Sequence, residues 1–144
     1  MDVHPSYTFG APSWRLFRVS LPDRVVVADM DGKMIMQVLV NLLDNAVKHT
    51  QDGGSISLDV SYRKNRVYFV VKDDGDGIAE EMKEKIFDEF VSLSDKSTDR
   101  KRGIGLGLAI CKEVVEAHGG RIWAENRREG GARFTFWLEA RIAE

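Results

Sequence analysis

The chain has a single cysteine in 144 residues. Cys111 alone excludes an internal disulfide and a cysteine-built metal centre, and it reads as a small core residue. No apolar run approaches the ~18–20 residues of a membrane-spanning helix. The N-terminus lacks a basic stretch followed by an apolar one, so no signal peptide is expected. Neither sign of charge prevails: 21 Lys and Arg stand against 23 Asp and Glu, a net charge of −2. A global basic field for nucleic acid is therefore missing. Internal repeats and low-complexity tracts are absent too. What remains is a chain of 43% hydrophobic residues, an ordinary share for a compact domain, and of a length that suits one domain with a real core.

Residues 1–14 show no periodicity and read as a linker, a packed arm or a leftover of cloning. Arg15–Ser20 and Val25–Asp29 read as short strands. Asp31 is placed to cap a helix running to about Thr50. After the turn at Asp52-Gly53-Gly54, Ser55–Tyr62 and Arg66–Lys72 alternate as two antiparallel strands around Lys64-Asn65. Glu80–Phe87 reads as a short helix, and Val91–Arg102 as a long loop. Leu106–His118 reads as a helix that Gly119-Gly120 ends, with His118 a cation suited to the helix end. Arg121–Asn126 and Ala132–Ala140 form a last hairpin, with Trp123 and Trp137 expected in the core. Strands interrupted by helices, with antiparallel hairpins, indicate an α+β two-layer sandwich.

The first capping helix carries Asn41, Asn45 and Lys48 at i, i+4 and i+7, on one narrow arc. The rest of its wheel is largely apolar: Ile35, Met36, Leu39, Val40, Leu42, Leu43, Ala46 and Val47. A solvated stripe on so buried a helix would favour Glu, Lys and Arg over asparagine, a mediocre helix former. Two amides and an amine suit a pocket for phosphates and a hard divalent cation. The alternative is that both asparagines hydrogen-bond nearby loops in a structural role.

Asp73-Asp74-Gly75-Asp76-Gly77 follows the strand Arg66–Lys72. It places a carboxylate on a tight turn whose glycines permit positive φ and close approach of a ligand. An ionised Asp73 accepts hydrogen bonds and donates none, which suits an amino group such as the exocyclic amine of adenine. A plain hairpin turn is the alternative, since Asp-Gly is common in turns. Gly103, Gly105 and Gly107 then lead into a helix. A glycine-rich loop at a helix N-terminus offers N–H groups and a positive dipole end to anions. The spacing differs from both the dinucleotide-fold and the P-loop patterns. A flexible loop before a core helix is the other reading.

These three motifs, in this order and with Ile86-Phe87-Asp88-Glu89-Phe90 between the last two, resemble the nucleotide-binding domain of sensor histidine kinases. The helix motif resembles the family's N box and Asp73–Gly77 its G1 box. Phe87–Phe90 resembles the F box and Gly103–Gly107 the G2 box. The resemblance covers roughly residues 21 to 140, and GLGLAICKEVVEAHGGRIWAENRREGGARFTFWL is most similar to the potassium-responsive, Kdp-type branch. It implies a mixed sheet backed by helices, with ATP and Mg²⁺ between the helices and a mobile lid over about Val91–Gly105. Residues 15–144 would then be the ATP-binding catalytic domain.

On this resemblance Asn45 would ligate Mg²⁺ with help from Asn41, and Lys48 would contact phosphate. Asp73 would read adenine, with Gly75 and Gly77 shaping that pocket, and Gly103, Gly105 and Gly107 would cradle phosphates. Further nucleotide contacts would come from His49, Ile78, Phe87, Phe90, Lys101, Arg102 and Leu106. Phe87 and Phe90 would pack the lid's hinge or simply the core. The lid cations would neutralise the triphosphate or form a solvated charge run.

Relatives of the gyrase, ninety-kilodalton heat-shock and mismatch-repair kinds place a Glu one turn before the metal-binding Asn. Here that position is Asn41, and an amide is no general base. Asp44 is expected on another side of the helix. The resemblance therefore implies γ-phosphoryl transfer to a protein histidine rather than hydrolysis. His4, His49 and His118 all lack an acceptor-like context. The acceptor is thus expected on a separate dimerisation domain, with a response-regulator receiver downstream. The fragment is expected to be cytoplasmic, its parent membrane-anchored, with no nucleic-acid partner and no direct membrane contact. A non-catalytic ATP-binding interaction module, or an ATPase of the same fold, are the alternatives.

Overall fold

The computed structural model describes residues 3–8, 14–88 and 99–143. The strands are β1 (Val3–Thr8), β2 (Trp14–Ser20), β3 (Val26–Val27), β4 (Ser55–Arg63), β5 (Arg66–Asp73), β6 (Arg121–Asn126), β7 (Ala132–Glu139) and β8 (Arg141–Ile142). The helices are α1 (Gly32–His49) and α2 (Asp99–Ala117), with one 3-10 turn at Glu80–Met82. Six strands form a mixed sheet in the order β1-β2-β4-β5-β7-β6, and β3 pairs with β8 separately. Among the described residues only β2 and β4 run parallel; the other pairings are antiparallel. This is the α+β sandwich expected.

Local chemistry explains the central pieces. Asp31 caps α1, its Oδ1 accepting from the N–H groups of Lys33 at 3.0 Å and Met34 at 3.1 Å. Ile35, Val38, Leu42, Asn45 and Ala46 are the buried residues of α1, a spacing that makes one inward stripe. The β4–β5 hairpin turns on Lys64 and Asn65, both at positive φ, the geometry of a two-residue turn matched to strand twist. Along β5, Val67, Phe69, Val71 and Asp73 alternate inward. The period-2 rule that buries three apolar side chains thus also buries an acid at the strand's end.

The core lies between the sheet and the two helices. Phe69 stacks on its cross-strand partner Phe136 at 4.6 Å, and Phe87 meets Phe134 edge-on at 6.1 Å. Such pairs add about 0.5–1.5 kcal/mol beyond area burial. Val38, Leu42, Cys111 and Val115 are wholly buried between the helices and the sheet, and truncating a site like Leu42 to Ala costs about 2–5 kcal/mol. Burial pushes the Cys111 thiol up to about 12, so it is inert, as its core reading implies.

Several sequence expectations change. Val3–Thr8 forms a strand although its sequence shows no periodicity; pairing with β2 supplies the order. The strand expected at Val25–Asp29 shrinks to Val26–Val27, paired with Arg141–Ile142. Glu80–Phe87 is no helix: after the 3-10 turn it continues as turns that bury Ile86 and Phe87. Eight residues give too little return on helix nucleation. Helix α2 begins at Asp99, seven residues before the expected start at Leu106, so Gly103, Gly105 and Gly107 lie within a helix. Glycine costs a helix only about 1 kcal/mol per position relative to Ala, and Asp99 places an acid at the positive end of the helix dipole. The lid expected at Val91–Gly105 is helical from residue 99; its earlier part, and Phe90, lie outside the described residues.

Trp123 and Trp137 are not core residues. They alternate with the inward Ile122, Phe136 and Leu138, so they face away from the helices, half-buried. There Arg121 lies over Trp123 at 5.2 Å and Arg66 over Trp137 at 3.6 Å.

Candidate functional site

The polar arc of α1 connects two glycine-bearing segments. At one end, Asn41 Nδ2 donates to the Gly107 carbonyl of α2 at 3.4 Å, and its Oδ1 accepts from Gln37 at 3.0 Å. At the other, the His49 carbonyl abuts Gly75, where any Cβ would collide with it. Eight residues of helix separate these ends by ~12 Å. Asn45 lies between them, 3% exposed. Its Oδ1 is a buried acceptor without a donor among the described residues. Leaving such a group unsatisfied costs about 1–3 kcal/mol, so the site holds an amide oxygen ready for a cation or a donor from a ligand. Lys48 is partly exposed and meets Asp44 at 3.6 Å. Asp44 is exposed while Asn45 is buried, the different side expected of it, and the long Lys48 side chain one turn on reaches back to it.

Asp73 is 3% exposed at the end of β5. Its Oδ1 accepts from the Gly75 N–H at 2.8 Å and the Ala132 N–H at 3.3 Å. No described hydrogen bond reaches Oδ2. Burial raises the carboxyl above its ordinary value; the two N–H groups and the nearby His49 oppose that rise. The result is a half-satisfied acceptor held on a rigid turn. Gly77 sits at φ +83, a conformation that favours glycine. Asp74 points to β4, accepting from Ser55.

The structure therefore brings Asn41, Asn45, His49, Asp73, Gly75 and Gly107 around one helix. Phe87 is buried against Phe134, in a core position. Ile78 is buried as well. Lys101, Arg102, Gly103, Gly105 and Leu106 belong to the first turns of α2. His118 is placed away from the arc: its Nε2 accepts from the Asp31 N–H at 3.0 Å, with Nδ1 2.8 Å from the Val114 carbonyl. His118 thus sits at the end of α2, as expected, and its ring ties that end to the start of α1.

Three residues escaped the sequence reading. The Arg15 guanidinium donates twice to the Thr50 carbonyl, at 2.8 and 3.2 Å, and closes the C-terminal end of α1. Asn126 and Arg127 grip the Asp73 turn from the β6–β7 hairpin. The one signal available for them was an Asn-Arg step before a Gly-Gly turn, which does not reveal a contact 48 or 54 residues away.

A buried amide oxygen without a donor, a half-satisfied carboxylate on a glycine turn and a glycine-bearing helix around one asparagine arc define a nucleotide-binding α+β domain. Comparison with known proteins gives the family. Residues 30–142 match the family "Histidine kinase-, DNA gyrase B-, and HSP90-like ATPase". The sensor protein KdpD of Clostridium acetobutylicum is 49% identical over 119 residues, which are 83% of this chain and 13% of that protein. The catalytic domain of the histidine kinase ThkA superposes with a TM-score of 0.72 at 35% identity, covering 87% of this chain and 78% of that one. ThkA in complex with the response regulator protein TrrA matches with a TM-score of 0.68 at 33% identity, over 85% of this chain and 34% of that one. The chain belongs to this ATPase family, among the ATP-binding catalytic domains of sensor histidine kinases. It spans about an eighth of the length of the KdpD relative. No described helix is long and apolar enough to cross a membrane.

Proposed function

We propose that residues 15–144 bind ATP with Mg²⁺ and donate the γ-phosphoryl group to a histidine on a separate dimerisation domain of a membrane-anchored sensor kinase. That kinase would pass the group to a response-regulator receiver, the kind of partner seen with ThkA. The observation that carries the reading is the buried Oδ1 of Asn45, an acceptor without a donor among the described residues. A neutral amide oxygen suits a hard cation, and Asn45, with Asn41, would hold it. Bound there, Mg²⁺ would offset charge on the phosphate oxygens.

The chain's own groups bind and orient. Asp73 Oδ2 accepts from the adenine amine, Lys48 turns from Asp44 to a phosphate, and the first turn of α2 offers its free N–H groups to the triphosphate. Asn41 takes no proton, so water near the γ-phosphate is left unactivated. Transfer then rests on alignment and electrostatics.

The test is radiolabelled γ-phosphate transfer from ATP, by this chain, to a histidine-hairpin domain of the Kdp-type kinases added separately. The expected result is labelling of the hairpin histidine, dependence on Mg²⁺, and loss of most of that dependence in Asn45→Ala. Steady hydrolysis by the chain alone would instead mark an ATPase. Bound ATP with an unlabelled hairpin would mark a non-catalytic module, and label on His49 or His118 would overturn the separate acceptor.

A further inference from the structure

The turn that carries Asp73 is held from the side by the β6–β7 hairpin. The regular β5–β7 ladder ends at Lys72 and Arg133. Beyond it, side chains replace the ladder. The Ile78 N–H donates to Asn126 Oδ1 at 2.7 Å, and Asn126 Nδ2 donates to the Ile78 carbonyl at 2.8 Å. One amide that accepts from and donates to the same residue's backbone imitates a ladder rung. Gly77 lies beneath it: a Cβ there would come within 2.8 Å of Asn126 Oδ1.

The next residue holds the other end of the turn. Arg127 Nη1 donates to the Asp73 carbonyl at 2.7 Å, while Glu129 stands 3.6 Å from Arg127 Nη2. Gly131, at φ +95, packs its backbone directly on the Asp73 carbonyl. The Ala132 N–H then reaches Asp73 Oδ1. The hairpin thus touches both ends of the turn, and both the backbone and the side chain of Asp73.

We infer that Asn126 and Arg127 are positioning residues for base selection: they hold the Asp73 turn so that Oδ2 faces the exocyclic amine. This rests on the reading of Asp73 given above. Neither side chain needs to touch the nucleotide. A carboxylate free to rotate would accept from water as readily as from the base, so the value of the clamp lies in preorganisation.

The experiment is a binding titration of ATP and of inosine triphosphate, which presents an oxygen where ATP presents an amine. It uses this chain with Asp73→Asn, Asn126→Ala, Arg127→Ala and Arg127→Lys, each checked for folding by circular dichroism. Asp73→Asn should abolish most of the preference for ATP. Asn126→Ala should weaken ATP about tenfold and inosine triphosphate far less, as expected for a lost pair of buried hydrogen bonds. Arg127→Ala should act in the same direction and Arg127→Lys should restore the preference. Adding Asn126→Ala to Asp73→Asn should cost less than Asn126→Ala alone. A general structural loss would weaken both nucleotides equally. An unchanged ATP preference in folded Asn126→Ala and Arg127→Ala overturns the clamp and leaves the Asp73 reading standing. An unchanged preference in Asp73→Asn overturns both. If Asn126→Ala fails to fold, the two Arg127 variants decide.

Discussion

Two glycine-bearing segments border the polar arc of α1, and the fold demands glycine in the turn after β5 but not at Gly107 of α2. At the turn after β5, a Cβ on Gly75 would enter the His49 carbonyl, Gly77 has a positive φ, and Gly131 lies against the Asp73 carbonyl. Those glycines are demanded by backbone packing. In α2, Gly107 has ordinary helical φ, and a Cβ there would come no closer than 3.4 Å, to the Asn41 side chain. Helix stability alone would favour Ala at that position. A glycine the packing does not require, in a helix it weakens, points to something absent from the folded chain by itself. Under the proposed function, that something is the nucleotide's phosphate chain. The turn after β5 is thus held by its packing, whereas Gly107 leaves α2 locally easy to deform; under the proposed function these are the base end and the phosphate end.

Substitutions test that contrast. Gly75→Ala should have the largest effect, about 3 kcal/mol of stability or more, because the collision is with backbone rather than with a flexible side chain. Urea denaturation would show it; a near-native midpoint would mean that the turn yields and is not preformed. Asp73→Asn comes next and acts in two directions. ATP affinity should fall more than about tenfold with the loss of a charge-assisted bond. Stability at neutral pH should not fall and should rise, since burial disfavours the ionised carboxyl. With the folded-state value raised above the unfolded 3.8, the favourable contribution of Asp73 is complete below 3.8 and is lost as pH climbs through the raised value. The parent chain's stability relative to Asp73→Asn should therefore decline from acid toward neutral pH. ATP affinity of the parent should show the opposite trend, failing on acidification once that carboxyl takes its proton.

Gly107→Ala should be smaller and of opposite sign to Gly75→Ala. The chain without nucleotide should gain up to about 1 kcal/mol, while ATP binding weakens. Destabilisation by Gly107→Ala would remove the contrast. The smallest effect belongs to Cys111: at pH 8 its alkylation in the folded chain should be far slower than in urea, because a thiol pushed up to about 12 holds almost no thiolate. Rapid labelling of the native chain would show that the α1–α2 contact opens readily.

Elements whose cause is local were legible in the sequence. The Asp31 cap, the α1 stripe, the Lys64-Asn65 turn and the β4–β5 alternation each follow from residues within one turn or one strand. The asparagine arc and the acid at the end of β5 were legible for the same reason. What failed was set by partners distant in sequence. Trp123 and Trp137 read as core because size and apolarity suggest burial; the register that turns them outward under Arg121 and Arg66 is a property of the assembled sheet. The early start of α2 was missed because three glycines were weighed as a loop before the helix, while the acid at Asp99, suited to a helix start, was not weighed. Asn126 and Arg127 were invisible because a clamp on another segment leaves no periodic mark.

The one parallel pairing has a consequence for the order of folding. The β4–β5 hairpin closes across two residues, whereas β2 meets β4 only after the chain from Ser20 to Ser55, helix included, has been laid down. Non-local pairings repay their loop-closure entropy late. Strand β2 is therefore expected to dock after the hairpin has formed, and with it Arg15, the guanidinium that closes the end of α1. In kinetic terms, Val71→Ala should slow folding, while Val19→Ala should chiefly hasten unfolding. Equal slowing of folding by both would place β2 in the nucleus instead. The end of α1 that carries Lys48 and His49 would then be among the last parts of the domain to mature, so a refolding chain should regain the fluorescence of the sheet tryptophans Trp123 and Trp137 before it regains its grip on nucleotide.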